Sequence, residues 1–351
     1  MAYTNVRTLR QEGKLPPIVQ EIKAVFAQLS ECDREFVEAL RGPVRRGPRG
    51  YDPEMLWHCF VVCYYLGRPS VSDLIRLLED NPYIARACGI KSPEGIPSQP
   101  TFSRFFAKVC KRLMRGQANQ VFHRLTQKLY STFPDFGKSV AMDATDIKAW
   151  SNGKHKIPTD KDAGWVVKPA TNGRKKHVWG YKVSLLVDTT YELPLAINVM
   201  KGNRNDQNAA SVLLSQARWI NGKFHPKHVI ADAGYCSEPL RRLIRNQYHA
   251  TPIIKVNLSH KKAVEAYPED AEWQDVFDRR ESVEHVFSRL KDFRKLNKVR
   301  VRGINKVKVH CLLSVIAFQA GALATNRRAC VRRVVGQKWP TKQLMRKQLV
   351  A

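Results

Sequence analysis

The chain has 351 residues, 43% of them hydrophobic, enough to bury a sizeable core in two or three compact units; this excludes a disordered segment. Lys and Arg number 60 against 31 Asp and Glu, a formal net charge of +29. The cations are spread along the whole chain rather than gathered on one amphipathic helix. That distribution points to nucleic acid before a membrane surface.

No stretch reaches the roughly 18 uninterrupted apolar residues of a membrane-crossing helix. The opening MAYTNVRTLRQEGKLPP lacks an apolar signal core, so a cytoplasmic location is expected. The 8 cysteines are scattered and form no CxxC pair. Buried thiols in a reducing compartment fit that pattern better than a zinc site.

Residues 17 to 132 read as helical. Ile18, Ile22, Val25, Phe26 and Leu29 recur at helical spacing, Met55–Leu66 is a dense apolar helix, and Val71–Leu78 follows a Ser70 cap. GIPSQPTFSRFFAKVCKRLMR runs from a Pro/Ser loop into a helix whose first turns carry Thr101, Ser103 and Arg104. That is the pattern of a helix-turn-helix reader and equally of a plain helical bundle.

Near Phe133-Pro134-Asp135 the texture changes to strand and turn. Val140–Asp143 reads as a short strand and 151–177 as an exposed, Lys-rich loop. VWGYKVSLLVDTTYELPLAINVM reads as a hairpin around Thr189–Glu192. A helix over 206–219, a strand at Val229–Ala231, a helix over 238–245, a strand at Thr251–Lys255, a long helix over 279–297 and a buried helix over 310–324 complete the order. Asn203 and Asp206 in GNRND fit a turn and a helix cap. The order is that of an α/β, ribonuclease-H-like layer preceded by an all-α N-terminal region. Expected boundaries are 1–132 for a helical DNA-binding or dimerisation domain, 133–325 for the catalytic domain and 326–351 for a basic tail. That tail is either a nucleic-acid arm or a solvated end.

Three carboxylates stand out. Asp143 in SVAMDATD and Asp232 in HVIADAGY each follow a short apolar run, and Glu284 lies in RRESVEHVFSRLK. Carboxylates at two strand ends and on a late helix suit a pair of divalent ions over a phosphodiester, since Mg²⁺ takes one or two carboxylates and leaves its other positions to water and phosphate. Asp146 competes with Asp143; Asp143 is favoured because it ends the apolar run. On the helix, Val283, Val286, Phe287 and Leu290 form an apolar stripe, with Arg280, Glu284 and Lys291 on a row beside it. Lys182 in GYK is a further candidate for a DNA contact, while His177 and Trp179 fit a structural role.

With these motifs in this order, the chain resembles a bacterial insertion-sequence transposase of the DDE type. The resemblance runs from YDPEMLWHCFVVCYYLGRPS and PSQPTFSRF through MDATDIKAWS, DKDAGW, WGYKVSLLVD, LPLAINVMKGNRND and DAGY to RRESVEHVFSRLKDFRKL. It implies a ribonuclease-H-like catalytic domain in which Asp143, Asp232 and Glu284 hold two Mg²⁺ ions, with Mn²⁺ as the alternative. It also implies Arg280 and Lys291 on DNA phosphates and Thr101, Ser103, Arg104 and Lys182 as DNA-binding residues. The implied partners are double-stranded DNA, as terminal inverted repeats and target, and a second copy of the chain in a synaptic homodimer. The implied location is the cytoplasm, at the nucleoid. Many such relatives carry a Tyr, Arg, Glu, Lys arrangement; Arg280, Glu284 and Lys291 match it, and Phe277 stands at the Tyr position. The stretch between Asp232 and Glu284 leaves no room for the large β insertion that some relatives place there. The implied activity is cleavage at element ends followed by strand transfer. The alternatives are a transposase-derived DNA-binding regulator and a nuclease without strand transfer.

Overall fold

Among the described residues, six α-helices precede the first strand: α1 (Pro17–Arg41), α2 (Pro53–Tyr65), α3 (Val71–Asp80), α4 (Pro82–Ala87), α5 (Gln99–Met114) and α6 (Gln117–Thr132). The computed structural model describes residues 15–41, 50–114, 116–154, 157–169, 175–256 and 270–325; the basic tail 326–351 lies outside them. Local chemistry starts the helices where the sequence suggests. Asp52 accepts the Glu54 N–H with Pro53 at the first helical position, and the Ser70 hydroxyl accepts the Asp73 N–H at 3.0 Å. Cys32, Cys59, Cys63, Cys88, Cys110, Cys236 and Cys311 are all buried, as small apolar fillers.

The strands are β1 (Ser139–Lys148), β2 (Gly164–Pro169), β3 (Lys175–Asp188), β4 (Leu193–Lys201), β5 (His228–Ala231) and β6 (Thr251–Ile254). They form one mixed sheet in the order β2-β3-β1-β5-β6, with β4 also on β3. β3 is antiparallel to β1, β2 and β4, whereas β1, β5 and β6 run parallel. The remaining helices are α7 (Gln207–Ile220), α8 (Glu238–Tyr248), α9 (Ala271–Asp278), α10 (Glu281–Asp292) and α11 (Ile304–Ala324).

α11 joins the two regions. It packs against α1, α2, α5, α6 and β4, so helices and sheet share one hydrophobic core. Inside it, the Gln319 amide nitrogen donates to Thr126 Oγ1 and to the Pro194 carbonyl, both at 2.9 Å. His310 lies 3.0 Å from both the Tyr64 hydroxyl and the Leu296 carbonyl. By length and composition α11 could cross a membrane, but most of it is buried within the protein.

Three expectations need correction. β1 does not stop at Asp143; it continues to Lys148 because β3 is long enough to pair with every residue from Val140 to Lys148. The 151–177 segment is not all loop, since Gly164–Pro169 pairs with Lys175–Gly180 as β2. The 279–297 helix is shorter than expected: α10 spans Glu281–Asp292, with Glu281 and Glu284 in its first turn, where acids complement the helix dipole, and a separate helix, α9, ends just before it at Asp278.

α10 is tied to the sheet by a buried carboxylate. Glu192, in the β3–β4 turn at φ +51°, is 6% exposed. Its oxygens pair with Arg289 and, at 2.9 Å, with His285 Nδ1, both from α10. Removing this buried carboxylate deprives the half-buried Arg289 guanidinium of this ion pair, at a cost on the order of 3 kcal/mol. Urea unfolding of Glu192→Ala should show that loss. Glu192→Gly should recover about 1 kcal/mol of it by relieving the left-handed backbone; equal losses in the two variants would mean that the backbone carries no strain.

Asp33 gives a pH signature. Its buried carboxylate accepts the Trp57 indole N–H at 2.8 Å, and burial pushes its pKa up to about 7. The unfolded chain releases that proton near pH 4, so the folded state holds more protons between the two values and stability falls as pH rises through this window. The slope is at most about 1.4 kcal/mol per pH unit. Asp33→Asn keeps the acceptor and cannot ionise, so it should gain on the wild type between pH 4.5 and 7.5 in urea-unfolding midpoints. Parallel pH curves would contradict the assignment.

Candidate active site

The parallel register of β1 and β5 runs from Ser139↔His228 to Met142↔Ala231 and ends there. The next residue on each strand is an aspartate: Asp143 on β1 and Asp232 on β5. The two chains then diverge. β1 continues along β3, while Asp232 caps a short 3₁₀ turn (Ala233–Tyr235) and accepts the Gly234 N–H at 2.9 Å. A Cβ at Gly234 would stand 3.0 Å from Asp232 Oδ1, so glycine keeps that carboxylate unobstructed. A crevice at the carboxyl ends of parallel strands is where open α/β sheets receive ligands.

Glu284 arrives from α10, whose apolar face of Val283, Val286, Phe287 and Leu290 is buried. Arg280 links it to the sheet, with its guanidinium 2.7 Å from Glu284 Oε1 and 3.6 Å from Asp143 Oδ2. Asp143 also accepts the Ala144 N–H at 2.7 Å. The Asp143 carboxyl is pushed up to about 6, chiefly by burial and also by the Asp232 and Glu284 charges, with the Ala144 N–H and Arg280 opposing the rise. Burial likewise lowers the pKa of Lys291, whose ammonium donates to Thr145 Oγ1 on β1. Arg280, Glu284 and Lys291 thus all lie at the β1–α10 contact.

Among the described residues, no three His, Cys, Asp or Glu side chains stand together as a ready metal cluster. The positive charge between Asp143 and Glu284 is the Arg280 guanidinium.

The other candidates are dispersed. Asp146 pairs with Lys168 at 2.6 Å and is separate from the Asp143–Arg280–Glu284 contact. Lys182 is 12% exposed at its side chain and pairs with Asp206 at 2.9 Å. Asp206 occupies the cap position of α7 but makes no cap hydrogen bond. Thr101, Ser103 and Arg104 lie on the first turns of α5 in the helical region; Ser103 and Arg104 are exposed, and Thr101 packs its hydroxyl 3.1 Å from Ser98 Oγ. Phe277 is half-buried, stacks on Trp273 at 4.9 Å, and has Lys255 and Arg280 within about 6 Å of its ring.

Two supports were not foreseen. One is the Glu192 tether. The other is the DKDAGW loop, where the buried Asp160 carboxylate accepts the Tyr181 hydroxyl at 2.7 and 2.8 Å and the Gly303 N–H at 3.2 Å. Asp162 accepts the Ile304 N–H at 2.9 Å, so the loop fastens β3 to the start of α11. A turn acid carries no sequence mark of such a distant partner.

A family model described as a transposase DDE domain matches residues 135–319, more than half of the chain, and one described as a transposase domain matches 8–108. A putative transposase for insertion sequence element IS6501 of Brucella ovis is 33% identical over 104 residues, which are 30% of this chain and 71% of that protein. Among solved structures, a piggyBac transposase synaptic complex with hairpin DNA aligns over 96% of this chain and 85% of its own, at 10% identity and a TM-score of 0.41. A pre-cleavage Mos1 transpososome aligns over 84% and 87%, at 12% identity and a TM-score of 0.23. The chain belongs to the transposase DDE-domain family, among the insertion-sequence transposases.

Proposed function

We propose that the protein cleaves DNA at the ends of its element and joins the freed 3′-hydroxyl to target DNA, with Asp143, Asp232 and Glu284 as its catalytic carboxylates. The observation that carries this reading is the register: Asp143 and Asp232 follow the last parallel pair, Met142↔Ala231, and Arg280 ties Glu284 to Asp143. A ribonuclease-H-like fold is supported by the strand order β4-β3-β1-β5-β6, the first three antiparallel and the last two parallel to β1.

The donor set suits hard divalent cations. It consists of carboxylate oxygens from a strand, a strand end and a helix; burial first, and then the charges of Asp232 and Glu284, raise the Asp143 pKa, while the Ala144 N–H and Arg280 lower it. Asp143, Asp232 and Glu284 would hold two Mg²⁺ ions, with Mn²⁺ as the alternative; bound there, they would stabilise the attacking and leaving oxygens of an in-line displacement. Arg280 and Lys291 would hold DNA phosphates, the guanidinium by two hydrogen bonds and the ammonium as a point charge. Thr145 orients the Lys291 ammonium, and the α10 stripe keeps solvent from the far side of the row. The helical region with Thr101, Ser103 and Arg104 would bind the terminal repeats, and two copies would bring the two ends together.

Labelled terminal repeats, a target plasmid and Mg²⁺ test this. Joined products are expected; nicks alone would indicate a nuclease, and binding alone a regulator. Asp143→Asn, Asp232→Asn and Glu284→Gln should each lower cleavage by at least about 10³-fold, about 4 kcal/mol of barrier, while DNA binding stays. Full nicking by Glu284→Gln would remove it from the proposed set.

Arg280→Gln and Lys291→Gln should weaken DNA binding across sequences and lower the log–log salt slope by about 1 each. Unchanged slopes in filter binding between low and moderate salt would show that neither touches phosphate.

A further inference from the structure

β3 outruns its neighbours. Its later part, Gly180–Asp188, pairs with β1, and Tyr181–Asp188 also pairs with β4; its first residues, Lys175–Trp179, have β2 as their ladder partner. Side chains alternate along a strand and paired residues share a face. Leu185 pairs with Asp143, so Val183, Tyr181, Trp179 and His177 continue the face on which Asp143 lies. Trp165 and Val167 of β2 pair with Trp179 and His177 and extend the same face.

This end of the face is apolar, aromatic and exposed. Trp165 is 38% and Val167 51% exposed. The Trp165 ring stands 5.3 Å from Trp179 and 6.3 Å from His177. Trp179 is fixed from behind, donating to Ser151 Oγ at 3.0 Å, and a Cβ at Gly153 would run into its ring. Trp150, 47% exposed, lies under the Arg300 guanidinium at 4.2 Å. Lys175 and Lys176 are exposed, and no Asp or Glu occurs from Gly164 to Val187.

Rigid rings set among cations, with no acid on the hairpin, complement a polyanion that also offers apolar sugar and base surface; that polyanion is DNA. We propose that the Trp165–Val167 face of the β2–β3 hairpin is a DNA-contact surface that holds the duplex about half a helical turn from the cut. The spacing follows from the strand. Leu185 to Trp179 is six residues, about 20 Å at roughly 3.3 Å each, or about 6 base pairs at 3.4 Å per pair. Contact with the hairpin is independent of the carboxylates, but the distance to the cut rests on the proposed role of Asp143.

Photocrosslinking from Val167→p-benzoylphenylalanine to a labelled terminal-repeat duplex in EDTA tests the contact, and wild-type nicking of the same duplex in Mg²⁺ locates the cut. Because Val167 pairs with His177, eight residues or about 26 Å along β3 from Leu185, a cross-link about 6–8 base pairs from the nick is expected. A Lys175→Gln/Lys176→Gln variant should lose at least about fivefold in affinity for that duplex and none for one trimmed short of the hairpin. A nick without a cross-link, or a cross-link more than one turn away, would overturn the inference, as would equal affinity loss on both duplexes. A cross-link without nicking would instead sink the carboxylate reading and leave the hairpin contact standing.

Discussion

The end of the β1–β5 ladder is the constraint on which the site depends. Up to Met142↔Ala231 the two strands run as a parallel pair inside the mixed sheet, where their backbone groups satisfy one another. Beyond it, β5 leaves through the turn that Asp232 caps, and β1 runs on with β3 as its remaining ladder partner. Asp143 therefore stands mid-strand beside a gap in the sheet. A rigid strand gives it a fixed direction, and the gap gives a ligand access. The cost is desolvation, visible in a carboxyl pushed up to about 6.

α10 completes the arrangement through three tethers of different kinds. Its apolar stripe is buried, Glu192 pairs with Arg289 and His285, and Lys291 donates to Thr145 on β1. Together they fix the helix along its length. Arg280, at the helix start, lies between two carboxylates and offsets their repulsion. On the proposed reading, an incoming phosphate and its cations take over that neutralisation and release the guanidinium to bind DNA.

Much of this was legible in the sequence because it rests on local periodicity. The α10 stripe, the hairpin around Thr189–Glu192 and the apolar runs before Asp143 and Asp232 are short-range patterns. Asp143 was preferred to Asp146 as the end of a strand, and that reason does not hold, since β1 continues to Lys148. What separates the two acids is their partners: Asp146 pairs with Lys168 of β2, a strand too short and too Lys-flanked to stand out from a loop. Lys182 looked available for DNA, but its partner Asp206 comes from beyond β4. Glu192 and Asp160 were invisible as supports because turn acids are common, while Arg289 lies 97 residues beyond Glu192 and Gly303 lies 143 beyond Asp160.

The most direct test of the central claim is a crystal structure of the full chain soaked in Mn²⁺, with anomalous scattering used to locate the ions. Density bounded by Asp143 and Asp232, with Arg280 moved from between Asp143 and Glu284, is the expected result. Ions at Asp146 instead, or an Arg280 bridge unchanged at saturating Mn²⁺, would contradict the assignment of these three carboxylates.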